Sequence, residues 1–242
     1  LSWTDTGRTN GTTYSYAVAA VTAAGQGATS APAVAATPRT VPGAPTGVSA
    51  TPGNGQVQVA WSAPSSDGGS AITAYRVLRD GVQVHETANG STVSWTDTGR
   101  TNGTELEYEV IAVNVAGPGP ASAVVAATPR TTPGAPTGVS ATPGNSEVQL
   151  EWSAPASDGG AAVTAYRVFR GGVQVHQTAS GSTLSWTDTG RTNGTSYTYE
   201  VAAVNAAGQG ARSSPAATAT PRTVPAAPVL TASAGDEQIG LS

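Results

Sequence analysis

Side chains able to do chemistry are sparse in this chain, and they do not converge. Two histidines occur, His85 and His176, 91 residues apart at matching points of VQVHE and VQVHQ. A histidine acting as general base needs a carboxylate and a reacting group within hydrogen-bond reach. Glu86 beside the first becomes Gln177 beside the second, so no paired acid is kept, and both read as solvated strand positions. Asp67 and Asp158 each stand alone in an SDGG stretch. Calcium asks for six to eight oxygens from several donors, so a lone aspartate in a Gly-rich loop is a turn residue first. Asn10, Asn102 and Asn193 (NGT) and Asn89 (NGS) fit the glycosylation acceptor pattern, and they equally fit turns, the reading preferred here. With no cysteine there is no thiolate nucleophile, disulfide or sulfur ligand. No catalytic constellation, metal site or cofactor site is expected, and the chain is not expected to be an enzyme.

Composition narrows the partners. The formal net charge is −4, and the basic residues, 11 in all, are every one arginine. An acidic chain without basic clusters is a poor match for nucleic acid or an anionic membrane surface. No run approaches the roughly 18 apolar residues of a membrane span, so no insertion is expected.

The elements must therefore be read from repetition. The decapeptide WTDTGRTNGT occurs at Trp3, Trp95 and Trp186, spaced by 92 and 91 residues, and Trp61 and Trp152 repeat at 91. Such a period is the size of a small β-sandwich. Gly (30) and Pro (17) punctuate stretches rich in Val, Thr and Ala, which favours strands and turns over helices. In GQVQVAW, Val57, Val59 and Trp61 fall on one face; SEVQLEW repeats this with Val148, Leu150 and Trp152. Period-two alternation marks a half-buried strand. ITAYRVLR and VTAYRVFR follow, each turned by Asp80-Gly81 or Gly171-Gly172 into VQVH, with Val82 and Val84 on one face. STVSW is expected to turn Val93 and Trp95 inward, and ELEYEVIAVN is the longest strand. The count is seven strands per unit. The expected core is Trp61, Trp95, Tyr75 and Tyr108 in one unit and Trp152, Trp186, Tyr166 and Tyr199 in the next.

These strands, in this order, resemble a fibronectin type III domain. The resemblance is carried by the tryptophan of the second strand (Trp61, Trp152), by Tyr-x-Val in the third (Tyr75/Val77, Tyr166/Val168), and by the GT-x-Y-x-Y-x-V-x-A-V-x-x-A-G stretches from Gly11 and Gly194. It implies an all-β fold: tandem seven-stranded immunoglobulin-like sandwiches in a linear array. The units are 1–40 (the last three strands of a domain), 41–130, 131–222, and 223–242 (the first strands of a further, divergent domain), and the polypeptide is expected to continue both ways. It also implies a tyrosine corner, which Tyr14 and Tyr197 satisfy and Leu106 does not. Where the family places a buried leucine, this chain has Arg8, Arg100 and Arg191. A bare buried guanidinium is prohibitive, so Asp97 is expected to pair Arg100, and Asp188 to pair Arg191, as a loop lock.

On this reading the decapeptide is a scaffold corner. The proline-rich joints TPRTVPGAP and TPRTTPGAP are expected to be semi-rigid. The function expected is a non-catalytic spacer or stalk in an extracellular bacterial surface or fibre assembly. An adhesion module of a surface adhesin or phage tail appendage, and the linker region of a secreted polysaccharide-degrading enzyme, stand as alternatives. Partners would be neighbouring domains, copies of the same chain, or a cell-surface or host-surface ligand. Leu78 and Phe169, out of phase with their strands' core residues, are the candidate surface contacts.

Overall fold

The computed structural model describes residues 1–236 and 238–241 and contains strands, with no helix, among them. The chain divides into two compact units, Leu1–Thr131 and Thr132–Ser242.

The first unit opens with four short strands, β1 (Tyr14–Tyr16), β2 (Ala19–Thr22), β3 (Gly25–Thr29) and β4 (Val34–Ala36). β1 pairs with β4, and β2 with β3. A complete sandwich follows: β5 (Thr46–Gly53), β6 (Gln56–Ser62), β7 (Ala74–Arg79), β8 (Val82–Glu86), β9 (Ser94–Thr98), β10 (Leu106–Asn114), β11 (Gly117–Ala121) and β12 (Val125–Ala127). One sheet runs β5-β6-β9; the other runs β11-β10-β7-β8, with β12 also on β10. Where seven strands were expected, eight form: the closing stretch AVVAAT gives β12, and β11, between it and β10, was not expected. Ser122 sits between β11 and β12, where its hydroxyl accepts the Val110 N–H at 3.0 Å and its own N–H reaches the Val110 carbonyl. Pro118 and Pro120 are tolerated because β11 is an edge strand, where a missing N–H costs no ladder bond.

The second unit repeats this plan: β13 (Thr137–Pro143), β14 (Glu147–Ser153), β15 (Ala165–Arg170), β16 (Val173–Gln177), β17 (Ser185–Thr189), β18 (Tyr197–Asn205), β19 (Gly208–Arg212) and β20 (Ala217–Ala219). Its sheets are β13-β14-β17 and β16-β15-β18-β19, with β20 on β18. A hairpin of β21 (Ala232–Gly235) and β22 (Gln238–Leu241) closes the described residues.

Both cores lie between the two sheets and follow the alternation. In β6, Val57, Val59 and Trp61 are buried; in β10, Leu106, Tyr108, Val110 and Ala112. β14, β15 and β18 supply Val148, Leu150, Trp152, Tyr166, Val168, Tyr199 and Val201 to the second. Trp61 tilts onto Tyr75 at a centroid distance of 5.4 Å, and Trp152 onto Tyr166 at 5.5 Å. At roughly 1.5–3 kcal/mol for each fully buried large side chain, these clusters dominate what holds each sandwich together.

Three expectations fail at the sandwich edge. Val93 and Val82 are exposed, because they lie beyond the reach of the facing sheet. Trp95 and Trp186 are half-buried and pack on the core margin instead of within it. His85 and His176 are half-buried too, each stacked on that tryptophan at 4.8 and 4.7 Å with nearly parallel rings. They cap the rim rather than stand in solvent.

Candidate functional site

The tightest polar cluster in each sandwich is built on the decapeptide's aspartate. Asp97 is the penultimate residue of strand β9 and is 4% exposed. Its Oδ2 accepts from Arg79 Nη1 at 2.7 Å and from the Tyr108 hydroxyl at 2.9 Å, while Arg100 Nε lies 3.4 Å from Oδ1. Asp188 repeats the arrangement with Arg170 at 2.6 Å, Tyr199 at 2.9 Å and Arg191 at 3.4 Å. Asp5 takes the Tyr16 hydroxyl at 3.0 Å and Arg8 at 3.4 Å. The expected Asp/Arg pairs are thus brought together. The shorter partners, Arg79 and Arg170, were not foreseen. Their signal was YRVLR and YRVFR, which place an arginine at the end of a strand in the opposite sheet, 18 residues before the aspartate.

The electrostatics follow the geometry. The bond to Asp97 pushes the Arg79 pKa up. Burial, and then the hydrogen bond to the carboxylate, push the Tyr108 and Tyr199 phenols up. A carboxylate so occupied offers no free face to a substrate. Removing it would strand a phenol and a guanidinium in a largely dry site, a loss of about 3 kcal/mol or more.

The rest of the decapeptide ties loops together. Asn102 Oδ1 accepts the Gly55 N–H at 2.8 Å and its amide donates to Asn54 Oδ1 at 2.9 Å; Asn193 makes the same two bonds to Ser146 and Asn145. The Arg100 N–H reaches the Gly55 carbonyl, and the Arg191 N–H that of Ser146. Tyr14 and Tyr197 form the expected corner, each hydroxyl accepting a backbone N–H, from Thr9 and Thr192, at 3.1 Å. Those bonds draw both phenols' pKa values down. Leu106 stands in the corresponding place and is buried in the core.

The candidate surface contacts divide. Phe169 is 5% exposed because the Arg212 guanidinium lies 3.7 Å over its ring, itself held by Glu200 at 3.1 Å. It is on the outer face as read, but covered, so it is no open contact. Leu78 is half-buried.

A second polar centre was missed by sequence reasoning. Asn114, 3% exposed, donates from one amide nitrogen to the carbonyls of Thr40 (2.8 Å) and Asp67 (2.7 Å), and its Oδ1 accepts the Ala116 N–H at 2.8 Å. Asn205 holds Asp158 and Ala207 in the same manner. The signal was AVN-x-AG at Ala112 and Ala203, an asparagine recurring at the end of the longest strand. Among the described residues, no three His, Asp or Glu side chains gather as metal ligands, and no helix is long and apolar enough to cross a membrane.

The model of the fibronectin type III domain matches residues 43–128 and 134–219, most of the chain. The chain belongs to the fibronectin type III domain family. Exoglucanase B of Cellulomonas fimi is 38% identical over 240 residues, covering 92% of this chain and 21% of that protein. Fibronectin type-III domain-containing protein 3a of Gallus gallus is 33% identical over 227 residues, covering 89% of this chain and 19% of that one. The chain thus spans about a fifth of the length of these relatives. Among solved structures, the FN1-FN3 domains of chicken CNTN1 align at 20% identity with a TM-score of 0.44, over 88% of this chain and 79% of that one. Fibronectin type III domains are non-catalytic modules, and the aspartate lock is a structural centre of two of them.

Proposed function

We propose that this chain is a non-catalytic spacer of tandem fibronectin type III domains within an extracellular bacterial protein. One observation carries the reading: the buried aspartate of each sandwich is spent on arginines and a tyrosine. Asp97 and Asp188 face inward onto arginines and tyrosines, and the apolar candidate Phe169 lies beneath Arg212. The apolar side chains left exposed on the sandwiches, such as Val82, Val93 and Val173, are small, which suits a segment that separates other parts without binding them.

The identity to a protein named an exoglucanase favours one setting, the linker region of a secreted glucan-degrading enzyme. The spacer would then set the distance between a catalytic part and whatever anchors it. Two assays test this. The chain alone should neither hydrolyse nor be retained by insoluble or soluble glucan. Placed between a catalytic and an anchoring module, one, two or three repeats should change activity on insoluble glucan and leave activity on a soluble substrate unchanged. Retention of the isolated chain on the polymer would replace the spacer reading with a binding one.

A further inference from the structure

The Ser66–Gly69 loop is braced from within and meets the chain that precedes its sandwich. The Ser66 hydroxyl accepts the Gly68 N–H at 3.2 Å, and Asp67 Oδ1 accepts the Gly69 N–H at 2.8 Å. The two side chains thus brace the loop from within, and the two glycines, at φ +74° and +81°, present bare backbone outward. Against that backbone lies the preceding repeat. A Cβ on Gly69 would overlap the Gly11 nitrogen and come within 2.6 Å of the Asn10 carbonyl carbon. A Cβ on Gly68 would overlap the Thr40 carbonyl oxygen and approach that of Val41 at 2.6 Å. On the other side of the same segment, a Cβ on Gly119 would overlap the Pro42 carbonyl oxygen. The close approach is fastened by hydrogen bonds: Thr40 N–H to the Gly68 carbonyl at 2.9 Å, Gly43 N–H to the Ser66 carbonyl at 2.9 Å, and the buried Asn114 amide to the Thr40 carbonyl. The Asn10-Gly11 turn is itself tied to the connecting segment, through Gly11 N–H to the Pro38 carbonyl at 2.9 Å.

We infer that Ser66–Gly69 is a docking cradle for the Asn-Gly turn and connecting segment of the repeat before it, a latch of backbone on backbone. Its partner is defined by chemistry: a positive-φ turn without a Cβ at the contact, followed by a proline-rich strap whose carbonyls face Gly68 and Gly119. A side chain at 69 cannot be accommodated by a rotamer change, because what it meets is main chain. The latch makes SDGG and the NG of the decapeptide a matched pair and accounts for letters that a turn alone leaves free. It deepens the spacer reading by naming what stiffens the joint. A spacer with a loose joint would still be a spacer, so the two stand or fall separately.

Trypsin reads the latch directly. Arg39 is exposed, and the bond after it leads into the strap at Thr40, which the latch holds by both its N–H and its carbonyl. Cleavage there requires the strap to lift, so its rate follows the population of the open joint. In the full chain, Gly69→Ala and Gly119→Ala should each raise cleavage after Arg39 by roughly tenfold or more, read by mass spectrometry as release of 40–242. Gly81→Ala is the control. It shares the positive φ of Gly69 (+76°) but has nothing within 4 Å of the added carbon, and should leave the rate near that of the parent. Should Gly69→Ala unfold its sandwich, as circular dichroism would report, Gly119→Ala decides, since no positive φ is strained there. Equal rates in the parent and in Gly119→Ala, or an equal rise in Gly81→Ala, overturn the latch.

Discussion

Asp97 and Asp188 are where the sequence places a charge and the fold then hides it. Each aspartate was legible as the partner of the arginine three residues on. Its shorter bond to an arginine on the facing strand was not, because that contact joins β9 to β7, which lie in different sheets. The tyrosine in the cluster gives a measurable consequence. An unfolded tyrosine loses its proton near pH 10. In the fold, burial and then the bond to Asp97 keep the Tyr108 phenol protonated to higher pH, and Tyr199 behaves alike through Asp188. Above pH 10 the native state therefore binds more protons than the unfolded one, and stability falls as pH rises. Below pH 10 the contribution is fully present. Tyr197, shifted the other way, opposes this from a half-buried site. Urea midpoints should be level from about pH 7 to 9.5 and decline beyond pH 10. Tyr108→Phe should flatten part of that decline while lowering the stability at neutral pH by about 1.5–3 kcal/mol, the worth of a hydrogen bond to a charged group. An alkaline slope unchanged by the substitution would remove the phenol from the account.

At the scale of elements, strands and facing residues were readable because burial repeats with period two. Comparing SEVQLEW with GQVQVAW showed which face tolerates charge. What period two does not encode is where a sheet ends. Val82, Val93, Trp95 and His85 keep the alternation yet lie at the rim, where no opposing sheet completes the burial. Strand β11 was hidden too, since GPGPA carries no apolar alternation. The loop after β8 shows another limit, a packing that depends on the absence of a side chain. A Cβ on Gly90 would overlap the Ile72 carbonyl oxygen and lie 3.1 Å from the Ile72 Cβ; Gly181 meets Val163 in the same way. Ser180 replaces Asn89 between the repeats, but this glycine is kept. Gly90→Ala should cost roughly 1–3 kcal/mol, the range for forcing atoms into a packed site. Gly99→Ala, with nothing within 4 Å, should cost only the strain of its positive φ, about 1 kcal/mol. Chemical denaturation of the two variants checks this, and a Gly90→Ala cost no larger than that of Gly99→Ala would contradict the packing.

For the whole molecule, a spacer must bear tension before it lengthens, and the strand order determines how. In the sandwich of 43–128, the chain enters on β5, bonded to β6 in one sheet, and leaves on β12, bonded to β10 in the other. Pulling the ends therefore loads antiparallel ladders and the interlocked core of Val57, Val59, Trp61, Tyr75 and Tyr108 together, and β6 cannot yield without exposing them. Resistance should be cooperative and lost in one step per sandwich. The domain at 134–219 repeats both ladders and core, so it should yield separately. The short pairs β1–β4 and β2–β3, of three to five residues with mostly exposed faces, bury too little to add an event of similar height. Stretching single chains should give two unfolding peaks. Each should lengthen the chain by roughly 240–280 Å, the extended length of a matched stretch less a folded span of about 30–40 Å. Asp97→Ala, which unties β9 from β7 and β10, should lower one peak and leave the other in place. A smooth extension without peaks would mean that the sandwiches do not carry load as units, and a spacer built from them would have no mechanical basis.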